Sequence, residues 1–527
     1  MTWDINAPYT AESKKIVWEV APYLRGQGAD IGAGDFKVLP HAISIDNGHH
    51  QQFGFQVKPD LLVRSADDLK IVGTESLDWV YSSHLLEHME KPEKALKEWW
   101  RLVKQNGFLI LYTPSDELYP RVGEKGANPD HKHNLNSALI VEWMRNVSQH
   151  WDLVERQVRD QDDEYSDLLV FKKRQTGGHQ FSHLKPQPEK SVLVCRFGAY
   201  GDLMQTASVL AGLKKQGYHV TLMCSPPGSD VMTHDPNIDA FMLLDKDQIP
   251  NGDLGSFWAW QAKKFTKFVN LSESVEGSLL AMPGRAQHGW VPAVRDRLMN
   301  LNYLEVQHQM AEVPHDPQVR FYPTPDEREW ASKQRRKLGA GPVIMWSLAG
   351  SAIHKTWPYL DQVIASIMIS YPTATVVLVG GPECKILEAG WEKEPRVRRT
   401  CGEWSIRESL TFINECDLIV GPETGVLNAA SHLPIPKVCF LSHSTHENLT
   451  RDWEQVFALY SEKTACRMRG PQDVENPILA CHTLHYGWEF CEKDEASGTA
   501  RCQADITAEE VWQVVDKVLH DAIMKAA

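Results

Sequence analysis

Short apolar runs that break into a glycine-bearing turn and then into helix-period segments recur along the chain. In the clearest, Val192-Leu193-Val194 enters Arg196-Phe197-Gly198-Ala199-Tyr200-Gly201-Asp202, and Leu203, Val209, Leu210 and Leu213 follow at helical spacing. That order predicts strand, loop and helix. An earlier stretch has the same plan: an amphipathic helix through Ile16, Val17, Val20 and Leu24 leads into Gly28-Ala29-Asp30-Ile31-Gly32-Ala33-Gly34-Asp35. Strands are predicted at residues 42–45, 77–81 and 108–112, at 192–194, 220–224, 240–244 and 267–271, and at 342–347, 374–379 and 418–420. Helices are predicted at 359–369, 426–431 and 508–525. Strands that alternate with helices predict parallel, doubly wound α/β layers.

One polar stretch interrupts this pattern. Residues 172–190 lack apolar periodicity and carry Gly177-Gly178 and Pro186-Gln187-Pro188, a linker composition. The expectation is therefore three Rossmann-like domains, at residues 1–175, 191–325 and 326–527, with a linker at 176–190.

Composition narrows the class. A chain of 527 residues that is 42% hydrophobic is too long for one core. A net charge of −14 argues against a general nucleic-acid or anionic-membrane surface and leaves a local basic groove as the remaining route to such a partner. No run approaches the roughly 18 to 20 apolar residues of a membrane helix, and no charged-then-apolar leader is present, which predicts a cytoplasmic protein. The partners implied are small-molecule or glycan substrates, and nothing in the sequence sets an oligomeric state.

Among ten cysteines, Cys195, Cys224, Cys416 and Cys439 fall in or beside apolar runs and are read as core. Cys466, Cys481, Cys491 and Cys502 cluster near His482, His485 and Tyr486. Zinc, two disulfides and free thiols all remain open for these four, and the lack of a Cys-x-x-Cys pair weakens the zinc reading. No metal is expected elsewhere.

The first glycine turn lets backbone approach a nucleoside without an intervening Cβ, and Asp46 ends the next strand where a carboxylate can accept both ribose hydroxyls. Asp30-Ile31-Gly32-Ala33-Gly34, Asp46, residues 77–88 (Leu-Asp-Trp-Val-Tyr-Ser-Ser-His-Leu-Leu-Glu-His) and Gly107-Phe108-Leu109-Ile110 resemble, in order and spacing, a class I S-adenosylmethionine-dependent methyltransferase. The resemblance implies that Asp30, Gly32 and Gly34 surround the methionine end, Asp46 holds the ribose, and Ser65, Ala66 and Asp67 meet the adenine, with His84 beside the cofactor. Ser65 stands where that family usually has an acidic residue, and Asp67 or Asp68 is placed to substitute. His84, His88, His131 and His133 are base candidates on the acceptor side, set against a helix-start role for Glu87-His88 and a solvated loop at 131–133.

In the second half, Asp202 stands at the start of its helix, where residue type alone favours a cap. A strand, a small-residue loop and Lys355 form a phosphate grip, and Thr424 and Gly425 open a helix where N–H groups can meet a pyrophosphate. Residues 196–202, His354-Lys355-Thr356-Trp357-Pro358, 376–383 and 417–430 resemble the heptosyltransferase-like glycosyltransferase family nine. That family has a two-domain GT-B fold and inverts the donor sugar. The resemblance implies that Asp202 is the general base, that Lys355 binds donor phosphate, and that Thr424 and Gly425 contact the diphosphate. Glu423 replaces the family's aspartate and Asn428 its helix histidine; both changes fall on the donor side. Arg285, His288, Trp290, Arg295, Arg297, Asn302, Tyr303 and His308 fit a carbohydrate cleft and an ordinary surface segment equally well.

The function expected is bifunctional: inverting glycosyl transfer from a nucleotide-sugar, and methyl transfer from S-adenosylmethionine. Two alternatives stand beside it, one with a purely structural methyltransferase domain and one with both domains catalytically silent in an interaction protein.

Overall fold

Four residues, Gly28–Ile31 (β1), form the buried centre of the first sheet in a computed structural model that describes residues 3–6, 11–50, 55–56, 58–274, 291, 294, 301–350, 353–442, 444–461 and 491–526. β1 begins with glycine because a Cβ there would lie 2.0 Å from the ring of Trp79, which is fully buried on a neighbouring strand. That sheet also contains Ile43–Asp46 (β2), Leu61–Leu62 (β3), Leu77–Ser83 (β4), Val103–Pro114 (β5), Trp151–Arg159 (β6) and Ser166–Lys173 (β7). Its order is β3-β2-β1-β4-β5-β7-β6, parallel as far as β5 and antiparallel at both pairings of β7. Helices Ser13–Val20 (α1), Pro92–Leu102 (α2) and Ser137–Val147 (α3) accompany it. Trp99, Ile140, Met144 and Trp151 join Ile31, Val80 and Leu109 in one apolar cluster.

The expected strands omit β6 and β7, although β7 carries the apolar run Leu168-Leu169-Val170-Phe171; only β6 lacks a hydrophobic signal. β6 carries Asp152, Glu155, Arg156, Gln157 and Arg159 and lies at the sheet edge, where only its first residues are buried. A half-polar edge strand has no continuous apolar run to reveal it. Part of the stretch read as a linker is attached here: Ser182 N–H and Oγ donate to the Asp152 carboxylate at 3.0 and 2.7 Å, and the His179 ring stacks on Trp151 at 4.3 Å.

By internal contacts the chain forms two units. The first comprises Met1–Glu189 and Leu243–Lys264. The second segment comes from sequence assigned above to residues 191–325, and polar contacts hold it to α1 and its neighbours. Within it, helix Leu254–Ala262 bears Trp260, whose indole donates to Glu19 at 2.8 Å; Lys264 pairs with the same carboxylate. Gln248 donates to the Ala21 carbonyl at 2.7 Å, and Asp245 accepts from Gly26 N–H at 2.7 Å.

The second unit holds two sheets, the second of them wholly parallel. In the first, Ser191–Cys195 (β8), His219–Cys224 (β9), Ala240–Leu243 (β10) and Lys267–Asn270 (β11) run in the order β10-β9-β8-β11. Tyr200–Lys215 (α4) buries Leu203, Val209, Leu210 and Leu213. In the second, Val343–Ser347 (β12), Thr375–Val379 (β13), Val397–Arg399 (β14), Leu418–Pro422 (β15), Lys437–Phe440 (β16) and Val456–Leu459 (β17) run β14-β13-β12-β15-β16-β17. Helix Ala508–Ala526 returns to this sheet through Val511, Val515 and Leu519. The three α/β sheets agree with the α/β class expected, three layers in which parallel strands predominate. Cys195, Cys224, Cys416 and Cys439 are buried, as the apolar runs predict. No helix among the described residues is long and apolar enough to cross a membrane.

Candidate functional site

In the first unit, chain reversal after β1 depends on Gly32 and Gly34, whose φ values are +78° and +58°. A side chain at Gly32 would also collide with Leu85, whose Cδ2 lies 2.8 Å from the Cβ position. Asp46, at the end of β2, accepts from Gly34 N–H at 3.2 Å and Gly48 N–H at 2.8 Å. Its carboxylate therefore fixes the shape of the glycine turn. Asp30 is buried beneath this turn; one oxygen accepts from Val38 N–H at 2.7 Å, and the other has no hydrogen-bond partner among the described residues. Burial pushes its carboxyl up to about 7, against the Val38 bond and with help from Asp46.

Ser65, Ala66 and Asp67, the residues expected to meet the adenine, are tied into a local network. Ser65 Oγ donates to Asp67 at 2.7 Å, Lys94 pairs with Asp67 at 3.0 Å, and the Ala66 carbonyl accepts from the Trp99 indole at 2.9 Å. The Ser65 bond is the chief reason that the Asp67 carboxyl lies below its ordinary range.

The histidines gather after β4. His84 has φ +48°, and its Nε2 lies 2.9 Å from Ser166 Oγ. Burial pulls its imidazole down to about 3. Glu87 is wholly buried, and neither carboxylate oxygen receives a hydrogen bond from another described residue. Burial pushes this acid up to about 8. Imidazole nitrogens of His84, His88 and His131 lie 3.8, 3.9 and 3.8 Å from Glu87 Oε1. His133 is elsewhere occupied, with Nε2 at 2.9 Å from the Met89 carbonyl.

In the second unit, Asp202 lies in the first turn of α4, and its side chain is 31% exposed. One oxygen accepts from Ala199 N–H at 2.8 Å, the helix-capping role that residue type favours. The other pairs at 2.9 Å with Arg196, whose side chain is fully buried. Gly198 leaves room for this arrangement, since a Cβ there would lie 2.6 Å from Asp202 Oδ2.

Helix Gly425–Ala430 meets α4 through bare backbone. A Cβ on Gly425 would lie 2.7 Å from that of Tyr200, and one on Gly201 would lie 2.9 Å from Asn428 Nδ2. Asn428 is committed to the seam: it donates to the Thr424 carbonyl at 2.9 Å and accepts from Gln205 at 2.9 Å, and Gln307 donates on to Gln205 at 3.2 Å. Gly425 and Asn428 therefore do packing work at this seam.

Thr424 caps the helix, accepting from Leu427 N–H at 3.4 Å, and its hydroxyl lies 3.1 Å from Ser347 Oγ. Lys355 donates to the Glu423 carbonyl at 3.1 Å, while the Glu423 carboxylate accepts from Ser442 N–H at 2.8 Å. The neighbouring His354 imidazole is pulled down to about 4 by burial and by the charge of Lys355.

Asn302 caps helix Tyr303–Ala311, and it, Tyr303 and His308 are buried. Arg285, His288, Trp290, Arg295 and Arg297 lie outside the described residues, as do Cys466, Cys481, His482, His485 and Tyr486. Cys491 and Cys502 are half-buried.

A family model described as a methyltransferase domain matches residues 20–111. The first unit carries a methyltransferase domain. No curated protein matches the chain. Similar solved structures include the ADP-heptose lipopolysaccharide heptosyltransferase II of E. coli, at 15% identity over 64% of this chain and 100% of that one, with a TM-score of 0.44. A glycosyltransferase family 9 structure from Veillonella parvula matches at 16% identity over 63% of this chain and 98% of that one, with a TM-score of 0.45. A possible histamine N-methyltransferase from Thermotoga maritima matches at 16% identity over 30% of this chain and 91% of that one, with a TM-score of 0.24.

Two features of these sites escape sequence reasoning. One is the buried Arg196 opposite Asp202, whose only signal is a basic residue just before the glycine turn. The other is the position of Glu87 in the methyltransferase domain: the Glu87-His88 pair is visible, but its convergence with His131 is not.

Proposed function

We propose that the chain is a bifunctional transferase. The methyltransferase domain moves a methyl group from S-adenosylmethionine to an acceptor, and the second unit moves a sugar from a nucleotide-sugar donor with inversion. The observation that carries the first activity is the glycine turn, whose positive φ angles leave backbone bare beside the Asp46 carboxylate. S-adenosylmethionine, when bound, supplies an electrophilic methyl group. Gly32 and Gly34 give it room, Asp46 holds the ribose, and the Ser65–Asp67 loop flanks the adenine. Positioning of the acceptor does most of the catalytic work in such a displacement.

In the second unit, Asp202 takes the acceptor hydroxyl proton. The freed oxygen bonds to the anomeric carbon, the bond to the nucleoside diphosphate breaks, and configuration inverts. Arg196 holds one carboxylate oxygen and orients the base. Lys355 and the Thr424 end of its helix face the leaving diphosphate, with Glu423 holding the loop between them. A glycan or related metabolite is the acceptor class.

A thermal-shift series on the full chain with S-adenosylmethionine, S-adenosylhomocysteine, ADP, UDP, GDP and CMP tests both activities, because a ligand that binds only folded protein raises its stability. Stabilisation by S-adenosylhomocysteine and by one nucleotide supports the bifunctional enzyme and names the donor. Silence from every nucleotide favours a second reading, in which the second unit is a scaffold; the engagement of the Lys355 ammonium by the Glu423 carbonyl is the observation on its side.

A further inference from the structure

Glu87, His88 and His131 form a donor set that methyl transfer by itself does not call for. One ligand atom from each lies within 4.8 Å of the others. The His88 and His131 Nε2 atoms are 3.9 and 3.8 Å from Glu87 Oε1, beyond hydrogen-bonding reach. Ligands on a tetrahedral ion with bonds of about 2.0–2.1 Å are roughly 3.4 Å apart, so closing the widest separation, up to 4.8 Å, takes about 1.4 Å in all, or roughly 0.7 Å from each side.

Two further observations point to a cation. First, Glu87 is wholly buried, receives no hydrogen bond from another described residue, and has imidazole nitrogens of three histidines within 4 Å of Oε1. A carboxylate stripped of water and donors is costly unless a positive charge meets it. Second, His88 Nδ1 lies 3.0 Å from the Asp130 carbonyl, a hydrogen bond only if Nδ1 carries the proton. Nε2, 3.9 Å from Glu87 Oε1, is then the unprotonated nitrogen of a neutral ring. Metal-bound imidazoles are oriented by this kind of contact.

We propose that Glu87, His88 and His131 bind one divalent transition-metal ion, of the class that takes imidazole and carboxylate ligands, with at least one coordination position left open. Three protein ligands are the usual complement of an open, reactive site, whereas closed structural sites use four. The set stands beside the donor turn, because Leu85, two residues before Glu87, is the side chain that abuts Gly32. An oxygen of the methyl acceptor takes the open position, which makes the acceptor a hydroxyl compound; this last assignment rests on the methyl-transfer reading, and the ion site does not.

The test uses the full chain, stripped with a chelator and titrated with Co²⁺. Metal content is measured after dialysis, and visible absorption reports nitrogen and oxygen ligation. Wild type is compared with Glu87→Gln, His131→Ala and the control His133→Ala. The expected result is one ion more in wild type and His133→Ala than in the other two variants, with at least tenfold weaker binding in those two. Added azide should shift the wild-type absorption if a position is open. Stabilisation by S-adenosylhomocysteine checks the fold of each variant, and the wild-type spectrum reads the ligands without any variant. Equal metal content in all four proteins, or no ion on wild type, overturns the site and leaves Glu87 a buried neutral acid. An unmoved spectrum with azide overturns the open position. An ion that binds to a chain unresponsive to S-adenosylhomocysteine keeps the site and removes only the acceptor assignment.

Discussion

Glu87 and Asp202 occupy comparable places, each in the turn that follows a buried parallel strand, yet their surroundings are opposite. Asp202 accepts from Ala199 N–H on one oxygen and is ion-paired with the Arg196 guanidinium at 2.9 Å on the other, and its side chain is 31% exposed. Glu87 is wholly buried and receives no hydrogen bond from another described residue. A carboxylate met on both oxygens by the fold has its polar needs supplied from within the protein. One that no neighbouring residue supplies with a donor is either neutral or waiting for a cation. The difference lies in what the fold brings to each carboxylate.

The largest effect that tests this contrast is on glycosyl transfer. Asp202→Asn keeps the size and one acceptor but removes the base, and the rate with the nucleotide-sugar selected by thermal shift is expected to fall about 10²- to 10⁴-fold. A rate within about threefold of wild type would break the assignment and leave Asp202 a helix cap. Arg196→Met comes next. Removing one member of a buried ion pair costs about 3 kcal/mol, here somewhat less because Asp202 is partly solvated. Denaturant unfolding should show that loss, and the double variant Arg196→Met, Asp202→Asn should recover part of it. A double variant no more stable than Arg196→Met would show that the pair is not the source.

Gly32→Ala sharpens the comparison from the methyltransferase side. Its φ of +78° and the 2.8 Å approach of Leu85 both oppose a side chain. The backbone term costs roughly 1–2 kcal/mol. Loss of the stabilisation by S-adenosylhomocysteine, with nucleotide binding to the second unit unchanged, is the expected outcome; an undiminished shift would remove this turn from the cofactor site.

The glycine turns were legible because their signals are local: a β-branched run, glycines at fixed offsets, then helical spacing. Gly32, Gly34 and Asp46 could be named from residue type and order alone. What was not legible depends on chain segments distant in sequence. Residue type favours a cap for Asp202, and the structure gives it that cap together with an Arg196 partner that no local signal announces. Gly425 and Asn428 look like donor-site residues in a motif, but the neighbours that occupy them, Tyr200 and Gln205, come from another sheet's helix. Residues 243–264 follow the alternating pattern of their own neighbourhood, and only the contacts of Asp245, Gln248 and Trp260 assign them to the first unit.

Asp30 lies between the two extremes, with one oxygen bonded to Val38 N–H and the other without a hydrogen-bond partner among the described residues, and it gives the smallest effect. Its carboxyl, near 4 when unfolded, is pushed up to about 7 in the fold, chiefly by burial. A folded acid that holds its proton more tightly than the unfolded one adds stability that is complete below about pH 4 and is lost as pH rises through about 7. The first unit should therefore lose stability over that window, and Asp30→Asn, which cannot ionise, should remove this part of the slope. The quantity to measure is the difference in unfolding midpoint between wild type and Asp30→Asn from pH 4 to 8, without added cofactor, since other titrating groups are common to both proteins. A difference that moves against wild type across the window places an incompletely satisfied acid under the glycine turn. Parallel curves would mean that the second oxygen finds a donor in solution, and Asp30 would then belong with Asp202 as a fully supplied carboxylate.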